Sequence, residues 1–169
     1  IGNCYFKGEG VEQDNSKAVE YFQRASELGN PDAMNSLGFC YKDGEGVEQN
    51  YSKAFEYFQR AAELGHSRSM YNLGCLCEDG VGVKQNYPKA CEYFQRVSEL
   101  GNSSSIRLFG VSYRNGEGVE QNHYKAAECF QRASELGESD AMNLLGLCYK
   151  DGEGVRHSYS KAVEHSSKS

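Results

Sequence analysis

Cys75, Leu76 and Cys77 form a C-x-C string, and two thiols this close invite the thought of a metal. A structural zinc site needs four ligands, usually supplied as two pairs. No second pair follows at useful spacing, and on a helix side chains two residues apart point well apart. No metal site is expected. His66, His123, His157 and His165 fall at helix ends and in loops. None stands beside a Cys or Ser with the base-and-orienter arrangement that nucleophilic catalysis requires. The string G-E-G-V is rich in glycine, but it follows a helical stretch and lacks the Lys-Ser/Thr ending of a phosphate loop. Glu9, Glu45, Glu117 and Glu153 are widely spaced loop carboxylates, and Val81 interrupts their series, so no catalytic pair is suggested. The residues read as those of a non-enzyme with no cofactor.

Seven cysteines cannot all pair within the chain. Cys4, Cys40 and Cys148 occupy equivalent positions 36 or 108 residues apart, while Cys75, Cys77, Cys91 and Cys129 stand where neighbouring segments put Phe, Val, Leu, Ala or Tyr. They behave as substitutes for hydrophobes, as buried free cysteines do, which favours a reducing intracellular compartment over secretion. The chain has 169 residues and a net charge of -6. No basic run is present to meet a phosphate backbone, so nucleic acid is not expected as a partner. No apolar stretch reaches the length of a membrane span, and direct membrane insertion is not expected.

The elements that would carry any site come from a repeat. G-x-G-V falls at Gly8–Val11, Gly44–Val47, Gly80–Val83, Gly116–Val119 and Gly152–Val155, a period of 36 residues, and such self-similarity marks a stacked-repeat architecture. Residues 30–65, 66–101 and 102–137 are full copies; 1–29 and 138–169 are partial ones. In the second copy Ala33, Met34, Leu37, Gly38 and Tyr41 share one helix face. Pro31 suits a first helical position, and the helix is expected to end near Asp43, with Gly44 in the left-handed region. Asn50 is an N-cap, with Asp14, Asn86, Asn122 and Ser158 as its equivalents. Ala54, Phe58, Ala61 and Leu64 form the stripe of a second helix. Glu56 and Arg60, four apart like Glu20 and Arg24, are expected to pair along it. Gly38 and Ala54 let the two helices approach. Tyr41, Tyr57 and Phe58 fill space between hairpins. A single hairpin cannot bury both apolar faces, so neighbours must stack. One continuous all-α array is expected over residues 1–169.

The pattern L-G-x-x-Y-x-x-G-x-G-V, then K-A, Y-F-x-R-A and E-L-G, resembles the Sel-1-like repeat, a relative of the tetratricopeptide repeat. Leu37, Gly38, Tyr41, Gly44, Gly46, Val47, Lys53, Ala54, Tyr57, Phe58, Ala61 and Gly65 carry the resemblance, and it covers the whole chain. It implies a right-handed α-α superhelical solenoid whose first helices line a concave face. It also implies an adaptor that assembles other proteins; a regulatory region of a larger signalling enzyme such as a kinase is the alternative. The regularly spaced disulfides of cysteine-rich members are absent from this pattern. In the last copy "HSSKS" replaces "YFQRA", with Ser166 at the core Phe position, and Ile1 aligns with Leu37. The chain therefore reads as a piece of a longer array whose truncated ends could self-associate.

Letters shared by all copies do a shared structural job, so a binding site should use letters that differ. On the first helices, opposite the packed stripe, the row Phe39, Cys75, Val111 and Leu147 is mostly apolar. Asn35, Arg68, Tyr71, Arg107 and Asn143 flank it, and Arg114 stands at a position that varies through Phe6, Lys42, Glu78 and Lys150. Tyr and Arg are enriched at interface hot spots. These ten residues, Asn35, Phe39, Arg68, Tyr71, Cys75, Arg107, Val111, Arg114, Asn143 and Leu147, are the expected surface for a protein or peptide partner. Packing between first helices accounts for the Phe39 position at least as well.

Overall fold

The structure, a computed structural model, describes residues 1–166, with side chains through His165; the Ser166 substitution at the core Phe position therefore lies outside the described side chains. Ten α-helices and no strands occur among the described residues. The chain divides into two compact units, Ile1–Gln85 and Asn86–Ser169. The first holds α1 (Gly2–Lys7), α2 (Asn15–Glu27), α3 (Pro31–Asp43), α4 (Tyr51–Glu63) and α5 (Ser67–Asp79). The second holds α6 (Tyr87–Glu99), α7 (Ser103–Asn115), α8 (His123–Glu135), α9 (Ser139–Asp151) and α10 (Tyr159–Ser166).

In the first unit the hairpin α3/α4 shows how the sequence makes its turn. Pro31 occupies the first turn of α3, and Asn30 Oδ1 accepts the Ala33 N–H at 2.9 Å. Gly44 ends α3 with φ 76°, and its N–H returns to the Cys40 carbonyl. A side chain would be strained there. Gln49 donates its amide to the Lys42 carbonyl at 2.9 Å, and the Asn50 N–H reaches the Tyr41 carbonyl at 2.7 Å. Asn50 Oδ1 then accepts the Lys53 N–H and starts α4. Gln13, Gln85 and Gln121 repeat the Gln49 bond to Phe6, Glu78 and Arg114. This loop strap explains a recurring glutamine.

The hairpin closes on Phe58. Its ring lies where a Cβ on Gly38 would stand, so the glycine is a packing residue. Phe58 is fully buried, which is worth about 2–3 kcal/mol of transfer free energy. Tyr41 stacks on Tyr57 at 5.6 Å and 9°. Lys53 covers the outer face of Tyr41 at 5.1 Å, and Arg60 stands over Tyr57 at 5.5 Å. The same four-layer stack recurs as Lys17, Tyr5, Tyr21 and Arg24. Tyr41 and Tyr57 thus meet inside one hairpin, and Tyr57 also packs against the cluster of Ala18, Val19, Phe22 and Leu37. The expected Glu20–Arg24 and Glu56–Arg60 ion pairs are not among those formed by the described residues; these arginines lie over tyrosine rings instead. The next loop seats on the hairpin before it, since a Cβ at Gly46 would strike the Asn15 carbonyl.

In the second unit Phe130 lies over Gly110 as Phe58 lies over Gly38. Ala126, Ala127, Phe130, Leu145 and Cys148 form one buried cluster, and Ile106, Ala133 and Ala141 a second. Lys125 covers Tyr113, Lys161 covers Tyr149, and His165 stacks on Tyr149 at 5.7 Å, taking the place of the tyrosine in other copies.

Leu64 departs from the expected stripe. It is 55% exposed, and Leu28, Leu100 and Leu136 are likewise more than half exposed. Each is the C-cap of its helix, and the following glycine, at φ 82–84°, turns the chain away. The side chain therefore leaves the helix end pointing outward.

Candidate binding surface

The ten expected contact residues divide into three groups. Arg68, Asn143 and Leu147 are exposed, and nothing in their own units covers them. Phe39, Tyr71, Cys75, Val111, Arg107 and Arg114 are half-buried. Phe39 meets Phe58 edge-on at 5.4 Å, with Lys42 over its ring at 5.0 Å. Val111 packs on the Phe130 cluster. Arg114 stands over the Phe130 ring at 5.8 Å. Tyr71 is hydrogen-bonded to Cys75.

Asn35 belongs to a third group, the interior joints between repeats. It is buried, and its Oδ1 accepts from Ser69 Oγ at 3.0 Å and from Asn72 Nδ2 at 3.2 Å. It bridges α3 and α5 and is not offered to a ligand. Arg107 plays the matching part in the second unit. Its Nε donates to Glu138 Oε1 at 3.1 Å, both side chains being about one-fifth exposed, and Asp140 lies at 3.9 Å. Ser104 also donates to Glu138. Helical spacing placed Asn35 and Arg107 opposite the packed stripe. It could not reveal that the next first helix covers that flank.

The joint at Asn35 contains an arrangement that sequence spacing concealed. His66 caps α5 through Nδ1, which accepts the Ser69 N–H at 3.2 Å and lies 2.9 Å from Ser69 Oγ; Nε2 faces Asp32 Oδ1 at 3.1 Å. Serine, histidine and aspartate are thus in line, contrary to the expectation that no serine accompanies a histidine with an orienting group. The order resembles a hydrolytic triad, but Ser69 is 0% exposed and its hydroxyl is bonded to Asn35. A nucleophile must reach a substrate carbonyl, and this one cannot. The network caps α5 and ties it to α3. Contrary to the expectation that the chain lacks an S-x-x-K string, the spacing of a serine nucleophile with a lysine, one runs from Ser158 to Lys161; it has a structural use, since Ser158 stands at the start of α10 and Lys161 covers Tyr149.

All seven cysteines are free thiols. Burial pushes Cys40 and Cys129 up to about 11. Cys75 is also raised to about 11, by burial first and by the charges of Glu78 and Asp79, against the opposing Tyr71 hydrogen bond. Reactive thiols are those whose thiolate is favoured; these are disfavoured. Among the described residues no group of three or more His, Cys, Asp or Glu side chains could hold a metal ion, and no helix is long and apolar enough to cross a membrane.

An open cleft of about 310 Å³ lies in the first unit between α3, α4 and α5. Tyr51, Cys75 and Val81 are its partly exposed apolar lining, above the buried Phe58 and Leu76; Lys42, Asp43, Asn72 and Asp79 line the rest, and Cys75 is the one expected contact residue among them. A larger cleft of about 570 Å³ between α8 and α9 includes Glu128, Arg132 and Glu135 on its walls, and none of the expected contact residues.

The family profile of the Sel1 repeat matches the chain at residues 1–30, 31–66, 67–102, 105–138 and 139–169. A Sel1 repeat protein from Oxalobacter formigenes superposes with a TM-score of 0.95 at 28% identity, over 99% of this chain and 69% of that one. The c5321 protein, a protective antigen of uropathogenic Escherichia coli strains displaying an SLR fold, gives 0.96 at 32% identity. That match covers 99% of this chain but only 36% of c5321. Helicobacter pylori cysteine rich protein B gives 0.61 at 30% identity, over 82% of this chain and 99% of that one. The comparison with curated proteins finds no match.

Proposed function

Because the chain belongs to the Sel1 repeat family, whose members are generally protein–protein interaction scaffolds, we propose that it is a non-catalytic adaptor that holds a protein or peptide along its first helices. In this reading residues 1–169 act as one array, and the first helices line its concave face. The observation that supports it is a division of labour among the letters. Letters shared by most copies are spent on straps, caps and ring stacks, whereas Arg68 stands where other copies have Asp32, Ser104 and Asp140, is exposed and has no packing role in its unit. Binding surfaces need side chains the fold can spare, and the first helices have them.

Arg68 and Leu147 are the substitutions to test. Arg107 is not, since its loss would disturb a joint. Affinity capture with this chain as bait, wild type beside Arg68→Ala and Leu147→Ala, should yield a protein held by the first and weakened in at least one variant. Melting temperatures should stay put, because exposed substitutions away from special features change stability by about 0.5 kcal/mol or less. A captured protein held equally by all three would move the site off the first helices. Turnover by the purified chain, abolished by one point substitution, would overturn the non-catalytic reading.

A further inference from the structure

Four of the five G-x-G-V loops carry a glutamate between the glycines; the third carries Val81. That departure has a structural counterpart. In the second unit Glu153 turns back toward His123 at 3.7 Å. The equivalent pair in the first unit is Val81 and Tyr51, two walls of the 310 Å³ cleft. Cys75, where other copies place Phe39, Val111 or Leu147, leaves the same cleft less filled. Two departures of one copy from its neighbours thus meet in one place: the smaller Cys75 makes it more open, and Val81 makes it more apolar.

The rim is acidic. Asp43 and Asp79 line the cleft together with Lys42. Lys42 Nζ is paired with Asp43 Oδ1 at 3.4 Å and lies over the Phe39 ring. Asp79 is exposed and has no ion pair among the described residues. Glu78 and Asp79 act on Cys75 with negative potential, part of what holds its thiol protonated. The first unit as a whole carries 13 Asp and Glu against 8 Lys and Arg. A partly exposed apolar patch of Tyr51, Cys75 and Val81 beside the unpaired Asp79 carboxylate suits one chemistry best.

We propose that this cleft is a side-chain socket for a basic peptide segment: one aliphatic or aromatic side chain enters between Tyr51, Cys75 and Val81, and a neighbouring Lys or Arg meets Asp79. The proposal rests on the scaffold reading and gives it a partner chemistry. An acidic segment would set its carboxylates against Asp79, and a polar side chain would leave its hydrogen bonds unmet against Tyr51 and Val81.

The test uses the whole chain, labelled with ¹⁵N, and three capped tripeptides: acetyl-Lys-Leu-Lys-amide, acetyl-Lys-Ala-Lys-amide and acetyl-Glu-Leu-Glu-amide. The first should shift amides between Asn72 and Val81 saturably, and salt should weaken it because the rim contact is exposed. Loss of the leucine or reversal of the charges should each raise the dissociation constant roughly tenfold, the size of one buried side chain or one charged contact. Cys75→Phe, the residue of the second copy, should fill the socket and abolish the response. Asp79→Asn, the residue the fourth copy carries at Asn115, should weaken only the lysine peptides. Equal response to all three peptides, shifts lying elsewhere, or a response that survives Cys75→Phe in a folded chain would each overturn the proposal. The scaffold reading fails separately. A protein captured by the bait and released by Leu147→Ala, with no tripeptide response, sinks the socket alone. A saturable leucine-dependent response with a captured protein indifferent to Arg68→Ala and Leu147→Ala supports the socket and removes those two residues from the binding surface.

Discussion

Gly38 has no room for a side chain. A Cβ there would lie within the Phe58 ring, which is itself fully buried and cannot retreat to solvent. Gly38→Ala should therefore destabilise the chain by about 1–3 kcal/mol through overpacking, even though alanine is the better helix former. Adding Phe58→Leu to Gly38→Ala should recover part of the loss, because the smaller side chain leaves space for the new methyl. Urea unfolding of the two single variants and the double variant checks this; strict additivity would show that the two residues do not share one space. The lysine of K-A is equally specific in its task. It lies over a tyrosine ring in four copies, at 5.0–5.6 Å, a contact worth about 0.5–1 kcal/mol at an exposed site.

Helix α9 begins differently from the other full-length first helices. Asn30, His66 and Asn102 accept a backbone N–H at the starts of α3, α5 and α7, but Glu138 makes no side-chain cap bond. Its carboxylate is turned to Arg107 and Ser104. The helix thus forgoes a cap for a joint to the preceding first helix. Arg107→Ala should cost about 1–3 kcal/mol, because Glu138 would be left partly buried without its cation. Glu138→Asn should cost less, since the new side chain can cap α9 and regain about 1 kcal/mol. Comparing the two by denaturant midpoint decides whether the joint or the cap dominates. A larger loss in Glu138→Asn would mean that the carboxylate does more than hold Arg107.

Stability of the whole chain should fall in alkali. Burial raises Cys40 and Cys129 to about 11, Cys75 reaches the same value, and Cys148 is also raised. A thiol whose pKa is raised by folding stabilises the native state fully below its unfolded pKa. That contribution is lost as pH rises through the folded one. The window therefore runs from about 9 to about 11. For the fully buried Cys40 the loss is on the order of 2 kcal/mol. Urea midpoints at pH 8, 9, 10 and 11 should decline, and Cys40→Ala should decline less steeply from a lower start. Identical slopes would show that this thiol does not govern the effect.

The helical hairpin was legible in the letters because it is built from local contacts. Pro31 at a helix start, Gly44 at its end, Asn50 as a cap and the Gly38 approach all stand where spacing put them. Backbone geometry acts over three to eight residues, and a repeated string states it five times. Leu64 was misplaced because a C-cap no longer follows helical direction. The surface was less legible for a different reason. Asp32 and His66 are 34 residues apart and in contact, and Arg107 meets Glu138 across 31. Position within a repeat tells which way a side chain leaves its helix. Only the stacking of one hairpin on the next decides whether that direction leads to water, to a joint, or into the cleft that Val81 and Cys75 leave open.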